Sequence, residues 1–338
     1  MNIEATEFGE IQGNSVTQYT LSNENGMQVK ILTYGGIIHE LTIPDRQGKR
    51  HSCVQSCGSL AQYIEDESYR GAIVGRYANR IGHAQFSLND TVYNLDKNGG
   101  EHNLHGGLSG FHKQIWQART EQTADVVSLH LTHFSPDGEG GFPGNVTVHA
   151  VYRLDNTNTL QLQFYATTDK ATPFSLTQHA YFTLSNGETV HTTQVQIDAE
   201  QITEVDNTLL PTGKLISVAN TPFDFTSLTA IGDKSQTGHP LFNLVGGYDH
   251  NFVLAKPTDD KPQAQVYAQD TGINMALYTS LPGIQFYTGN IQGDAQLGSL
   301  CLEPQHFPDA PNQPNFPNCI IDENNPYRAE IRYQFNVD

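Results

Sequence analysis

Two-residue alternation of apolar and polar side chains constrains this chain more than any other feature. Near the C-terminus Tyr327, Ala329, Ile331, Tyr333 and Phe335 fall on one face, with Arg328, Glu330, Arg332 and Gln334 on the other. A period of two is the signature of a strand buried on one side only. Val146–Tyr152 is β-branched and roughly alternating, and Leu160–Phe164 alternates cleanly. Between them Asp155-Asn-Thr-Asn158 is made of turn formers, so the stretch predicts a β-hairpin. Gln194–Ala199 alternates as well. Helical signals are few. Ser59-Leu-Ala-Gln62 reads as a capping box, and Leu60, Tyr63 and Ile64 give helical spacing, which predicts a helix of about two turns. Many short strands separated by Gly, Pro, Asn and Asp predict an all-β chain built as a sandwich or barrel.

With 338 residues, 37% of them hydrophobic, the chain can bury a sizeable core. Pro304–Pro317 holds five prolines in fourteen residues, a linker-like composition. The terminal strand lies beyond it, however, and must pair with something upstream, and Phe307 and Phe316 are apolar. The segment is therefore read as an ordered loop within one domain spanning residues 1–338.

Charge narrows the function. Lys and Arg total 18 against 36 Asp and Glu, a formal net charge of −18. A chain this acidic, without a Lys/Arg cluster, lacks the footprint of a nucleic-acid binder and of a membrane-surface segment. Expected partners are small and neutral. Met1–Glu10 has no basic region followed by an apolar one, and no stretch approaches the roughly 20 apolar residues of a membrane span. Cys53, Cys57, Cys301 and Cys319 read as free thiols in a chain too large to need staples, so a cytoplasmic location is expected.

Several local motifs could carry chemistry, each weak by itself. Glu101-His-Asn-Leu-His105-Gly-Gly sets a histidine before two glycines, which by itself reads more readily as a tight turn with an exposed histidine than as backbone that lets a ligand approach closely. Gly75-Arg-Tyr-Ala-Asn79-Arg80-Ile-Gly82 offers donors to hydroxyls, or simply a surface turn. His179 sits in a mostly apolar strand-like run, where a structural role is commoner. Asp249 follows a glycine turn that it could cap. Glu303 ends an apolar run, where a carboxylate is either exposed or functional.

In order along the chain these motifs become specific. Gly75–Ile81, Asn103–Gly107, Ser135–Gly144, Thr177–Phe182, Leu210–Gly213, Thr221–Phe225, Gly247–His250, Pro282–Tyr287 and Leu302–Asp309 together resemble the aldose 1-epimerase (galactose mutarotase) family. The resemblance implies a large antiparallel β-sandwich, a galactose-mutarotase-like supersandwich, with a sugar cleft on one face. It implies Glu303 as base at O1, His179 as acid at the ring oxygen O5 and His105 as a second histidine beside them. Asn79, Arg80, Asp249 and Gln285 match positions that hold sugar hydroxyls, and Tyr181 matches a pocket-lining position. The substrate implied is a free hexose, galactose and also glucose, with no cofactor and no metal. Departures from the family pattern fall at Gln178, Ala180 and Pro304, and they bear on positioning or sugar preference.

Mutarotation needs two groups that each act as acid and base near neutral pH, and a carboxylate with a histidine meets that need. Mutual attraction would lower the carboxylate's pKa and raise the imidazolium's, while desolvation opposes both shifts; the sequence leaves that balance open. Competing readings are a hexose-6-phosphate 1-epimerase, which would need extra cations such as Arg76 beside Arg80, and a non-catalytic sugar-binding protein. A glycoside hydrolase using Asp249 and Glu303 is a further alternative, as is a metal site on His102, His105, His179 and Glu303. Oligomeric state is left as monomer or homodimer.

Overall fold

The best-patterned strand occupies the middle of the largest sheet. In the computed structural model, which describes residues 1–234, 238–255, 261–289 and 297–338, Tyr327–Val337 pairs antiparallel with Thr159–Thr168 on one side and Ile273–Thr279 on the other. Nine strands make this sheet. Gln117–Gln122, Val126–Ser135, Val146–Asp155 and Thr159–Thr168 lie in order on one side of the terminal strand. Ile273–Thr279, Ala264–Tyr267, Gln194–Ile197 and Thr229–Ala230 lie on the other. Tyr327, Ala329, Ile331, Tyr333 and Phe335 are all buried, as the alternation requires. The expected hairpin is present, with Leu154 opposite Leu160. Its turn is closed by the Asp155 carboxylate, which accepts from the main-chain N–H of Thr157 at 2.8 Å and of Thr159 at 3.1 Å.

An N-terminal antiparallel meander of five strands runs from Asn2 to Ser52. A second five-stranded sheet, in the order Pro211–Ser217, Gln201–Val205, Asp249–Val253, Gly283–Tyr287 and Cys301–Gln305, completes the architecture. Apolar residues from all three sheets, among them Leu21, Val148, Phe286 and Phe335, join one contiguous hydrophobic cluster. The chain is an all-β sandwich of large antiparallel sheets. Among the described residues no helix is long and apolar enough to cross a membrane.

The helix Leu60–Glu65 is six residues long. Its capping box is half formed: Ser59 accepts from the Gln62 N–H, but the Gln62 side chain takes the N–H of Gly58 rather than that of Ser59. Leu60 and Tyr63 are buried, whereas Ile64 is 47% exposed, because so short a helix presents a single turn to the core.

Pro304–Pro317 is ordered. Phe307 and Phe316 enter a second hydrophobic cluster with Tyr77, Ile81, Phe86 and Phe142. The buried Asp309 carboxylate accepts from the Gly82 N–H at 2.8 Å and from the Asn312 and Gln313 amides. This loop thereby anchors the Gly75–Gly82 segment that borders the site.

Candidate active site

Strand parity builds one wall of the site. In the second five-stranded sheet Asp249 pairs with Tyr287, Asn251 with Gln285, Gln285 with Glu303, and Tyr287 with Cys301. Paired and alternate residues share a face, so Asp249, Gln285, Tyr287, Cys301 and Glu303 project to the same side. Phe252, Ile284, Phe286 and Leu302 project to the other side and join the hydrophobic cluster. A single sheet thus holds core on one face and chemistry on the other.

The opposite wall comes from two short strands and the turns beside them. Arg80–Ile81 pairs with Asn103–Leu104, and just beyond that ladder Asn79 and His105 are tied twice. The His105 N–H donates to the Asn79 carbonyl at 3.1 Å, and the Asn79 N–H donates to Nδ1 of His105 at 3.1 Å. A main-chain donor on Nδ1 leaves that nitrogen unprotonated, so neutral His105 carries its proton on Nε2. Thr177–Gln178 pairs with Ile73–Val74, and the His179 main chain bonds Ala72 and Gly71. These contacts deliver His179 and Tyr181 to the cleft.

The cleft encloses about 340 Å³. Glu303, His179, His105, Asn79, Arg80, Tyr181 and Asp249 line it, together with Asp66, Glu67, Ser68, Tyr69, Leu104 and Tyr287. Gln285 stands behind the wall instead, almost fully buried, and donates to Oδ1 of Asp249 at 2.6 Å. It orients a lining carboxylate and is not itself a wall residue. Oδ2 of Asp249 lies 3.9 Å from the Arg80 guanidinium, and the Asn79 amide oxygen accepts from the Arg80 N–H at 2.8 Å. Donors and acceptors therefore alternate along this wall, the arrangement that vicinal hydroxyls require.

On the cleft floor Nε2 of His179 is 3.5 Å from Oε2 of Glu303, and that oxygen has no hydrogen-bond partner among the described residues. Both side chains are buried. Desolvation is the largest influence on both groups and favours the uncharged form of each. Burial, reinforced by the nearby Asp249 charge, holds the Glu303 carboxyl well above the usual carboxylate range. Burial also pushes His179 down to about 4, against the opposing pull of its own main-chain carbonyl, Asp249 and Asp66. His105 is pushed well below its ordinary value by burial, then by His179 and Arg80.

The whole chain matches known proteins. The aldose 1-epimerase family model matches residues 17–334. The chain is 34% identical to bovine (Bos taurus) galactose mutarotase, over 98% of this chain and 97% of that one. It is 33% identical to aldose 1-epimerase of Escherichia coli K12, over 94% of each. The solved structure of galactose 1-epimerase from Lactobacillus acidophilus superposes with a TM-score of 0.89 at 26% identity, covering 99% of both chains. The chain belongs to the aldose 1-epimerase family. It is an isomerase, an epimerase acting at C1 of an aldose.

Within that family its departures lie off the cleft. Ala180 is in the main hydrophobic cluster, and Pro304 is paired with Ile284 on the core face. Gln178 is fully buried and donates to the carbonyl of Gly71. All three have the parity opposite to His179 and Glu303. The structure also decides two alternatives that the sequence left open. Arg76 does not face the cleft: its buried guanidinium donates to Ser135, Pro136 and Pro143 at 2.7–2.9 Å and fixes the loop that carries them. Gly106 serves chain packing and not a ligand, since a Cβ there would stand 1.9 Å from the Gly75 carbonyl oxygen.

The 1-epimerase cleft also answers the metal question. His102 lies apart, accepting at Nδ1 from the His83 N–H. The ligand atoms of His105, His179 and Glu303 fall within 4.8 Å of one another. A metal takes an imidazole nitrogen that carries no proton, but the Asn79 N–H forces the proton of His105 onto Nε2. Binding an ion through that nitrogen would strand a buried main-chain donor, so His105 does not fit as a ligand while its bond to Asn79 stands.

Sequence reasoning missed the segment Asp66–Tyr69. Tyr69 adopts a positive φ of 58°, and its ring lies 4.5 Å from His105, 4.6 Å from His112 and 6.0 Å from His179. No residue-type pattern marks it. Tyr287 was within reach, because alternation puts it on the face of Gln285.

Proposed function

We propose that this 1-epimerase opens and recloses the ring of a free hexose, galactose and also glucose, with Glu303 as base and His179 as acid. The observation that carries the reading is the buried pair at 3.5 Å on the cleft floor. The two groups hold one proton between them, and bringing a sugar's O1 to Glu303 and its O5 to His179 uses that proton. Glu303 takes the proton of the O1 hydroxyl while Nε2 of His179 gives its proton to O5. The C1–O5 bond breaks as the C1–O1 carbonyl forms. Rotation about C1–C2 presents the other carbonyl face; as the ring closes Glu303 gives its proton back to O1 and His179 recovers its proton from the O5 hydroxyl, as microscopic reversibility demands.

His105 has a different part. Its Nε2–H is a fixed donor that can stabilise developing charge at the ring oxygen without leaving. Asn79, Arg80, Asp249 and Tyr181 hold the remaining hydroxyls and sugar face, with Gln285 fixing Asp249. Galactose comes first because the mammalian relatives are named galactose mutarotases. The reading takes residues 1–338 as one cytoplasmic domain, supported by the cluster shared between the three sheets.

Polarimetry of freshly dissolved α-galactose and α-glucose tests the proposal. Both should reach the equilibrium rotation faster with the protein than without it. Acceleration of neither sugar, with binding retained, would make this a sugar-binding protein on an epimerase fold.

A further inference from the structure

The inner nitrogens of the two cleft histidines face different atoms. Nδ1 of His105 meets the N–H of Asn79, a donor with no lone pair to offer. Nδ1 of His179 lies 3.7 Å from Sγ of Cys301, within reach of a sulfur hydrogen bond. Cys301 is fully buried two residues before Glu303, on the same face of the same strand. The His179 ring is nearly parallel to Tyr181, at 22° and 5.1 Å, and to Tyr69, at 27° and 6.0 Å. Its plane is therefore held, and Nε2 stays toward Glu303.

An imidazole that gives a proton from Nε2 and takes it back must keep the proton on Nδ1 throughout. Whatever accepts from Nδ1–H selects that tautomer. Histidines are commonly held in this way by a carboxylate, which also raises the ring's basicity. A thiol sulfur is a weak, uncharged acceptor, and burial keeps Cys301 protonated and neutral. It can select the tautomer without making the imidazolium a poorer acid.

We infer that Cys301 is a positioning residue, whose sulfur accepts from Nδ1–H of His179 and holds it in the tautomer opposite to that of His105. His105 then stays a fixed Nε2–H donor, while His179 exchanges its Nε2 proton. The inference rests on His179 being the acid, which makes the tautomer matter for rate. The tautomer itself can be read without any assay.

Side-chain ¹⁵N shifts of histidine-labelled enzyme at neutral pH provide that reading, alongside kcat and KM for Cys301→Ala and Cys301→Ser. Neutral His179 should carry its proton on Nδ1, and neutral His105 on Nε2. Cys301→Ala should raise the Nε2–H population of His179 and lower kcat about tenfold, the smaller end of what loss of such a partner costs elsewhere, with KM unchanged. Cys301→Ser, which keeps a lone pair, should restore the tautomer and most of kcat. An Nε2–H proton on His179 in the parent enzyme would overturn the inference. Equal losses in both variants with an unaltered tautomer would do the same. If His179→Asn kept its activity, the acid assignment would fall while the spectroscopic result still judged the Cys301 contact.

Discussion

Nε2 of His179 and Oε2 of Glu303 stand 3.5 Å apart in a site that keeps both groups from water. Burial favours the uncharged form of each, so without sugar the shared proton rests on the carboxyl. The catalytic arrangement, carboxylate beside imidazolium, differs only in which partner holds it. A sugar that donates from O1 to the carboxyl and accepts at O5 from the imidazole favours the charged arrangement. Binding and activation are thus one event.

Replacing Glu303 by Gln keeps the shape and removes the base. Mutarotation should slow by at least the roughly 10²–10⁴-fold typical of a lost general base, with little change in sugar affinity. A polarimetric rate close to the parent's would refute the role of Glu303. The same variant reads stability. The raised folded-state pKa of Glu303 means that its contribution is full below the unfolded value, near about 4.3, and is lost as pH rises toward the folded one. The Tm of Glu303→Gln relative to the parent should therefore climb as pH rises above the ordinary carboxylate range.

Phosphorylated sugars should be poor substrates. Among the described residues Arg80 is the one Lys or Arg lining the cleft, beside the carboxylates of Asp66, Glu67 and Asp249. Arg76, the other candidate, is spent on main-chain carbonyls and a serine. A dianionic ester entering an acidic cleft meets repulsion. Glucose 6-phosphate should show a kcat/KM far below that of galactose, and comparable values would move the enzyme into the sugar-phosphate class.

Much of this was legible in the residues. Period-two alternation announced the terminal strand and the hairpin at 146–168, because one face of each is buried. The same parity places Glu303 with Gln285 and separates both from Pro304. What a sequence cannot carry is contact between segments far apart in the chain. That Arg76 points inward depends on Ser135 and Pro143, and that Gly106 meets Gly75 depends on how two turns pack. Tyr69 is hidden for another reason: a tyrosine at positive φ contradicts its own local preference. The direction of the pKa shifts depends on burial, which motif spacing does not express.

Chelation should leave activity intact. The Asn79 N–H fixes His105 with its proton on Nε2, and the proposed steps ask for no Lewis acid. Exhaustive dialysis against EDTA followed by polarimetry checks this. Lost activity that zinc or manganese restores would mean that His105 releases Asn79 and binds a metal.

The last prediction concerns pH and follows from the same balance of burial against attraction. Had attraction prevailed, the acid limb of the rate profile would belong to Glu303 and the alkaline limb to His179. Burial reverses the assignment. Starting from the one-proton pair, acid adds a second proton to His179, whose pKa is pushed down to about 4. Alkali removes the proton resting on Glu303, whose pKa is held well above the carboxylate range. The active species is the one-proton pair in either internal arrangement, so kcat/KM, corrected for spontaneous mutarotation, should be a plateau across neutral pH. Its limbs are macroscopic values of the coupled pair. His179→Asn should remove the limb at about 4 and retain a slow rate, supported by the fixed donor on His105, that rises with pH as the Glu303 carboxyl ionises. In Glu303→Gln the residual rate should instead fall as pH rises and the His179 imidazolium loses the proton it gives to the ring oxygen. A His179→Asn rate that is already independent of pH above the ordinary carboxylate range would show that burial does not hold Glu303 protonated, and that the carboxylate is ionised before sugar arrives.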